Sequence, residues 1–169
     1  GLRAKAGDAL RHSAIEITDF APRSKRNGRI YHPMSLVRTI RPLAGSPRIR
    51  VRLRPLSSYG SRRPERTVGS NHLRFLLDGV VLRVTSDVPL PMLRDELPFL
   101  LDRPVHIILG PDETLTQAPE LYVRGELDAT LGYWHEWVRY LSIPAEWQEA
   151  VIRAAITLKL CQYEGTGAI

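Results

Sequence analysis

The sequence predicts a β-rich region, residues 1–112, followed by helices that begin a second, helical domain, residues 113–169. Apolar and polar side chains alternate on a period of two through the first two-thirds of the chain, which is typical of strands with one buried face. From Thr116 onward the apolar period changes to 3.6, which is typical of amphipathic helices. Prolines crowd residues 86–111 between the two patterns, so we expect short extended pieces and no helix there.

The composition is that of a globular protein. Of 169 residues, 43% are hydrophobic and 25% are charged, which excludes the disordered and collagen-like classes. The sequence contains no apolar run of about 18 residues and no signal peptide at its start, so no membrane partner is expected. The one cysteine, Cys161, excludes internal disulfides and cysteine-based zinc sites, and a cytoplasmic location is the expectation.

The net charge of +6 is unevenly distributed along the chain. Residues 1–66 carry 16 Lys and Arg against 4 Asp and Glu, whereas residues 67–169 carry 8 against 14. The two parts have opposite signs. Pairing between the two parts therefore competes with an external anionic partner as the explanation of the basic segment.

Three segments of the first half are predicted strands. Residues 14–18 alternate and end before Pro22, and residues 35–40 follow a polar turn at Asn27-Gly28. Residues 48–54 give the clearest alternation, with three aliphatic side chains on one face and four arginines on the other. These arginines are Arg48, Arg50, Arg52 and Arg54.

Residues 72–85 predict a tight β-hairpin. Asp78-Gly79 lies between two apolar runs and favours a type I′ turn. A two-residue loop places Arg74 directly opposite Arg83, which is unfavourable unless an acidic group from elsewhere in the chain lies between them. We therefore predict such an acidic neighbour. The apolar pairs of this register are Leu77 with Val80, Phe75 with Leu82, and Leu73 with Val84. Residues 105–109 form a further short extended segment.

Two helices are predicted after Thr116. The first ends near Leu141, and its apolar stripe comprises Leu127, Leu131, Trp134, Val138 and Leu141. A cap at Ser142-Ile143-Pro144 starts the second helix, whose main stripe comprises Trp147, Val151, Ala154, Leu158 and Cys161. A second apolar stripe comprises Ile152, Ala155, Ile156, Leu160 and Tyr163. Because two helices cannot bury so wide a face, we expect further helices beyond this sequence, which is then a truncated part of a larger protein.

The arginine stripe is the first candidate site. Together with Arg62, Arg63 and Arg66, it could bind phosphates. Single-strand nucleic-acid binding needs interleaved aromatic platforms, and this stretch has only Tyr59. A solvated or interdomain strand face is the favoured interpretation, and nucleic acid is not favoured as a partner.

No metal site or catalytic constellation is predicted. His135-Glu136 lacks the second histidine of a zinc protease helix, since Arg139 stands four residues after His135. The other histidines, His12, His32, His72 and His106, have no ligand spacing. The acid pairs, Glu146 with Glu149, Asp95-Glu96 and Asp112-Glu113, are interpreted as helix-dipole or loop residues. Gly165-Thr166-Gly167 is too short for a phosphate loop and is interpreted as a helix stop. The expectation is no catalytic, substrate-binding or metal-binding residue and no cofactor.

Several segments resemble one enzyme family in the right order. They are Ile17-Thr18-Asp19-Phe20-Ala21-Pro22, Arg38-Thr39-Ile40-Arg41-Pro42-Leu43-Ala44-Gly45, Tyr59-Gly60, Trp134-His135-Glu136-Trp137, residues 147–159 and Thr166-Gly167-Ala168-Ile169. The chain resembles family 15 glycoside hydrolases, the glucoamylase and trehalase-like enzymes, over nearly its whole length. The resemblance implies an antiparallel β-sandwich of the super-sandwich type, followed by the helices that begin an (α/α)6 barrel.

The resemblance also implies inverting hydrolysis of an α-glucosidic bond in trehalose or an α-glucan. The family's catalytic carboxylates and its substrate-binding segment lie downstream of these residues, so the chain alone is expected to be inactive. Two alternatives stay open: a basic β domain that binds nucleic acid or another polyanion through the face from Arg48 to Arg54, and a carbohydrate-binding module.

Overall fold

A computed structural model describes residues 13–144, 146–163 and 165–169. The described residues divide into two compact units, with the boundary between Thr130 and Leu131. The strands are β1 Ala14–Phe20, β2 Ser24–Arg26, β3 Arg29–Tyr31, β4 Leu36–Ala44, β5 Arg48–Ile49, β6 Glu65–Val68, β7 His72–Leu77, β8 Val80–Ser86, β9 Phe99–Leu100 and β10 Val105–Pro111. The helices are α1 Leu90–Arg94, α2 Pro119–Arg139 and α3 Gln148–Cys161. None of these helices is both long and apolar enough to cross a bilayer.

One six-stranded sheet dominates the first unit. Its order is β1-β4-β10-β8-β7-β6, and every neighbouring pair is antiparallel. The pairs β2-β3 and β5-β9 form two small sheets of two strands each. The prediction of a β-rich region with antiparallel strands, followed by two helices, is therefore confirmed at this coarse level. The described residues form one large sheet, and no second large sheet is present among them.

The large sheet buries both of its faces in part. On one face the buried side chains include Leu73, Phe75 and Val84, and segments outside the sheet cover them. Those segments are the extended residues 49–53, α1 and Phe99. On the opposite face Val37 and Ile108 pack against Val123 of α2, with Phe20, Leu115 and Tyr122 around them.

The β7-β8 hairpin has the predicted register. Leu77 faces Val80, and Arg74 faces Arg83. The prediction of a type I′ turn at this hairpin is wrong, because of the two loop residues only Gly79 has a positive φ, +78°. A type II turn requires that combination. The polar turn predicted at Asn27-Gly28 joins β2 to β3, and both of its residues have the positive φ of a type I′ turn, 50° and 76°.

Two further expectations for the β region are corrected. Only residues 48–49 of the predicted strand over residues 48–54 pair with another strand, because their one partner, β9, is two residues long. The alternation is nevertheless real, since Ile49, Val51 and Leu53 pack against the core and the intervening arginines are exposed. The proline-rich segment does contain a helix, α1, where Pro91 occupies the first turn, the helical position that tolerates proline. The strands predicted at residues 14–18 and 105–109 are confirmed as parts of β1 and β10, and the strand predicted at residues 35–40 is confirmed from Leu36 onward as part of β4.

The buried face of α2 differs from the predicted stripe. In the first unit it comprises Val123, Glu126 and Thr130, which are 2%, 9% and 5% exposed, whereas the predicted Leu131 is 47% exposed. Glu126 accepts a hydrogen bond from Arg26, and the Thr130 hydroxyl accepts one from the Arg23 backbone N–H. Two polar side chains can face inward because each has a polar partner there.

The second unit contains the end of α2 and all of α3. Trp134 makes edge-to-face contacts with Tyr133 and Trp137, at ring-centroid distances of 5.2 and 5.6 Å. Helix α3 starts at Gln148, after Trp147 in a left-handed conformation. The helix start predicted at Ser142-Ile143-Pro144 is therefore wrong by several residues. No described residue of α3 is buried.

Candidate functional site

Two of the four arginines of the stripe, Arg54 and Arg52, lie beside one carboxylate. Glu96 follows α1, and its two oxygens accept hydrogen bonds from the Arg54 guanidinium at 2.8 and 2.5 Å. Arg52 lies 4.0 Å from the same carboxylate. The hydrogen bond from Arg54 lowers the pKa of Glu96 below its ordinary value, with smaller contributions from Arg52 and Arg50. Pairing between the basic and acidic parts of the chain, one of the two explanations considered for the basic segment, is thus present at this face for Arg54 and Arg52.

An open groove of about 610 Å³ runs beside Glu96. Arg63 and Arg66 line it together with acidic side chains, and Arg66 donates a hydrogen bond of 2.6 Å to the backbone carbonyl of Arg94. Asp95, which also lines the groove, pairs with Arg94 at 2.6 Å. The lining therefore mixes cations and anions, which weakens any attraction for a polyanion.

The loop before β6 is strained. Ser58, Tyr59 and Gly60 are consecutive residues with positive φ, at 49°, 54° and 91°, a region that costs non-glycine residues about 1–3 kcal/mol each. The Tyr59 side chain is fully exposed. The Asp78 carboxylate fixes the loop, because it accepts hydrogen bonds from Ser58 and Arg62.

The histidines differ in burial and in hydrogen-bond partners. His106 is buried, and its Nδ1 and backbone N–H each lie 2.7 Å from a carboxylate oxygen of Asp87. His32 and His135 are exposed, and His12 lies outside the described residues. Among the residues that the structure describes, no group of three or more His, Cys, Asp or Glu could hold a metal ion.

His72 is a buried histidine beside two cations. Its ring packs so closely on Gly69 that a side chain at Gly69 would clash with it. Burial lowers the pKa of His72 below its ordinary value, and the charges of Arg83 and Arg74 lower it further. The lowered pKa favours the neutral imidazole, and the charge of Asp112 acts in the opposite direction with a smaller effect.

The acid pairs of the sequence form ion pairs with arginines or lie at the start of a helix. Asp95 and Glu96 are ion-pair partners of arginines, as described above. Glu146 and Glu149 are exposed residues in the turn before α3 and its first turn, where a carboxylate complements the helix dipole. Gly165-Thr166-Gly167 follows α3 as a turn, and Tyr163 accepts hydrogen bonds from the backbone N–H groups of Thr166 and Gly167.

Asp112 is the acidic neighbour that the hairpin register predicts. Its Oδ1 accepts a hydrogen bond of 2.7 Å from Arg74 Nε and one of 3.4 Å from Arg83 Nη1. The bond from Arg74 is the main reason why the pKa of Asp112 lies below its ordinary value. One carboxylate thus separates two arginines that face each other across β7 and β8.

A cavity of about 340 Å³ lies beside Arg83, and we call it the Arg83 pocket. Arg83 and Thr85 lie at its sheet side, while Tyr122 of α2 lines another side. Burial raises the pKa of Tyr122 to about 12, with a smaller contribution from the charge of Glu126. The full lining is Tyr31, Pro33, Met34, Ser35, Arg83, Thr85, Ile108, Gly110, Pro111, Glu113, Leu115 and Tyr122.

The sequence did not single out this pocket. Arg83 appeared there only as an unfavourable partner of Arg74, and the signal that could have found it is the charged residue on the apolar β8 strand. Ser35 and Tyr122 carry no pattern that marks them. They line the same pocket as Arg83 only because the segment that leads into β4, β8 and α2 pack together.

The chain was compared with protein-family models, curated proteins and solved structures, and none of them matches it.

Proposed function

We propose that this chain forms part of a family 15 glycoside hydrolase, an enzyme that hydrolyses α-glucosidic bonds in trehalose or an α-glucan with inversion. The residue resemblance described above is the basis of the proposal. In it, the large sheet belongs to the β-sandwich domain, and α2 and α3 begin the (α/α)6 barrel.

The order of elements supports the proposal. An antiparallel sheet, formed by residues up to Pro111, is followed by the long helices α2 and α3, which is the order that the resemblance implies. The segment Ile17–Pro22 includes the end of β1, and Tyr59-Gly60 forms the strained loop tip. Conformational strain in a loop is typical of functional positions.

The observation that carries the proposal is the apolar surface of α3. Val151, Leu158 and Leu160 are 38%, 55% and 61% exposed. Aliphatic side chains on one helix stabilise a protein only when another element removes them from water, by about 25 cal/mol per Å² buried. We propose that further helices of a barrel cover this surface.

The chemistry proposed for the whole enzyme needs two carboxyl groups. One protonates the leaving oxygen and the other activates a water molecule, and inverting enzymes hold them about 6.5 to 9.5 Å apart. In the family these groups lie downstream, so no residue of this chain is assigned to either role. This chain supplies packing and one rim of the cleft.

Two proteins made side by side test the proposal. Residues 1–169 should release no glucose from trehalose or maltose. The same chain extended along its natural reading frame should release the glucose that water attacks as the β-anomer, so that proton NMR detects one β-glucose and one α-glucose from each trehalose. Activity of residues 1–169 alone would contradict the proposed role. Retention of the anomeric configuration, or an extended protein that hydrolyses neither sugar, would refute the family.

The competing function is polyanion binding through the arginine stripe. Glu96 already pairs with Arg52 and Arg54, so we expect little binding of single-stranded DNA at physiological salt. A salt-dependent affinity that falls when Arg48, Arg50, Arg52 and Arg54 become serine would favour this function instead.

A further inference from the structure

Arg83 is a buried cation with a weak ionic partner. Its side chain is 5% exposed, and the ion pair that it forms within residues 13–144, with Asp112, spans 3.4 Å. Arg74 takes the closer position on the same carboxylate oxygen, at 2.7 Å. A buried guanidinium is stable only where charge and hydrogen bonds compensate for its lost hydration. The site beside Arg83 therefore favours an additional anion.

The hydrogen-bond donors of Arg83 are used unevenly. Nε donates to Thr85 at 3.2 Å, and Nη1 donates to Asp112 at 3.4 Å and to Thr114 at 3.3 Å. No hydrogen bond joins Nη2 to any residue that the structure describes. The strongest planar contact of an arginine is a pair of parallel bonds to one carboxylate, and Arg83 makes no such contact within residues 13–144.

Two hydroxyl groups line the same pocket without a partner among the described residues. They belong to Ser35, immediately before β4, and Tyr122, on α2. A Cβ at Gly110 would lie 2.6 Å from the Ser35 hydroxyl, so glycine at this position lets that side chain lie against the sheet. Because the phenol of Tyr122 stays protonated at neutral pH, both hydroxyls can donate hydrogen bonds to an anion.

The lining favours a single negative charge over a double one. Glu113 also lines the pocket, and its charge repels a dianion more strongly than a monoanion. Ile108 and Leu115 supply apolar walls for a short carbon stem. A volume of about 340 Å³ is at the lower end for ligand pockets, and it suits a molecule or side chain of a few heavy atoms.

We propose that the Arg83 pocket binds a carboxylate group, which Arg83, Ser35 and Tyr122 hold. The group belongs either to a free small acid or to an aspartate or glutamate side chain. This inference does not depend on the proposed glycosidase function.

Amide NMR of the 169-residue chain tests it. The protein is titrated at constant ionic strength with sodium acetate, sodium lactate, acetyl-glutamate amide, sodium phosphate or sodium chloride. We expect saturable shifts of the Ser35, Gly110 and Leu115 amides with the carboxylates. Tighter binding of acetate or lactate identifies a free acid as the ligand, and tighter binding of the blocked glutamate identifies a side chain. Phosphate binding as tight as that of every carboxylate would overturn the proposal, as would the absence of saturation.

Variants connect the binding to the named residues. Arg83→Gln should weaken carboxylate binding by at least about tenfold, since a hydrogen bond to a charged group contributes about 1.5–3 kcal/mol. Tyr122→Phe should weaken it several-fold, and Asp112→Asn should tighten it because the competing carboxylate is gone. Arg63→Gln, in the open groove, is the matched control and should change nothing. If Arg83→Gln does not fold, unchanged affinity in both Tyr122→Phe and Asp112→Asn overturns the proposal.

Discussion

The ion pair between Arg26 of β2 and Glu126 of α2 connects the β2-β3 hairpin to that helix, and substitution can test it. Arg26 Nη2 lies 2.5 Å from Glu126 Oε1, with side-chain exposures of 47% for the arginine and 11% for the glutamate. Arg26 also stacks on the Tyr31 ring, at 3.7 Å from its centroid. Arg26→Met removes the charge and leaves the Glu126 carboxylate buried without its cation.

The magnitude follows from the unequal burial of the two partners. Two charges 4 Å apart attract by about 4 kcal/mol at an effective dielectric constant of about 20. The half-exposed arginine reduces this, because exposed pairs contribute about 0–1 kcal/mol and broken buried pairs cost about 3–5 kcal/mol. We therefore expect Arg26→Met to lower the free energy of unfolding by about 2 kcal/mol and Tm by about 4–8 °C.

Urea unfolding, followed by circular dichroism in the strand region, measures this loss. Tryptophan fluorescence reports a different unit, since Trp134, Trp137 and Trp147 all lie within residues 131–169. A double-mutant cycle with Glu126→Gln separates the ion pair from the stacking on Tyr31. The coupling energy of the cycle should be about 1–2 kcal/mol.

Arg29→Met is the matched control, because Arg29 faces Arg26 across the hairpin and is exposed. It should cost less than about 0.5 kcal/mol, as is usual for surface substitutions. Equal losses in the two arginine variants, or a coupling energy close to zero, would refute the assignment of Glu126 as the anchor of this hairpin.

Two further outcomes are expected from the hairpin β7-β8. Leu73→Ala should lower the free energy of unfolding by about 2–5 kcal/mol, because Leu73 is 1% exposed. Leu76→Ala on the same strand should cost clearly less, because Leu76 is 37% exposed. Similar losses of the two variants in urea unfolding would contradict the assignment of the two faces of β7. Burial and two neighbouring arginines lower the pKa of His72. The His72 ring therefore binds a proton more readily in the unfolded state than in the folded state. The stabilising effect of the neutral ring is present above pH 6.5 and is lost as the pH falls below it. His72→Gln should flatten this part of the stability profile and the exposed His32→Gln should not.

Much of the fold follows from short-range pattern. The register of β7 and β8 is predictable because the two-residue loop and the apolar face select the same pairing. The need for an acid between Arg74 and Arg83 follows from that register, yet the sequence does not identify Asp112, which lies 38 residues from Arg74. Contacts of such separation depend on how β10 places its end beside β8.

The candidate sites were less predictable than the strands. The arginine stripe was located from alternation, and its exposure is confirmed, but its partner Glu96 lies 42 residues from Arg54. The Arg83 pocket went unseen because its donors come from separate elements. The apolar period also predicted the wrong buried face for α2. That period counts only apolar side chains, and the buried face of α2 includes Glu126, which is paired with Arg26.

The sequence by itself determined the change from strands to helices, the hairpin register and the outward direction of the arginines. Each depends on neighbours a few residues apart, whose geometry the backbone period sets. Only the tertiary structure decided which acid meets which arginine, why Glu126 and Thr130 face inward, and where a cavity forms. Those outcomes depend on burial and on charge over a few ångströms, and distant residues reach that range only when the sheet and α2 have packed.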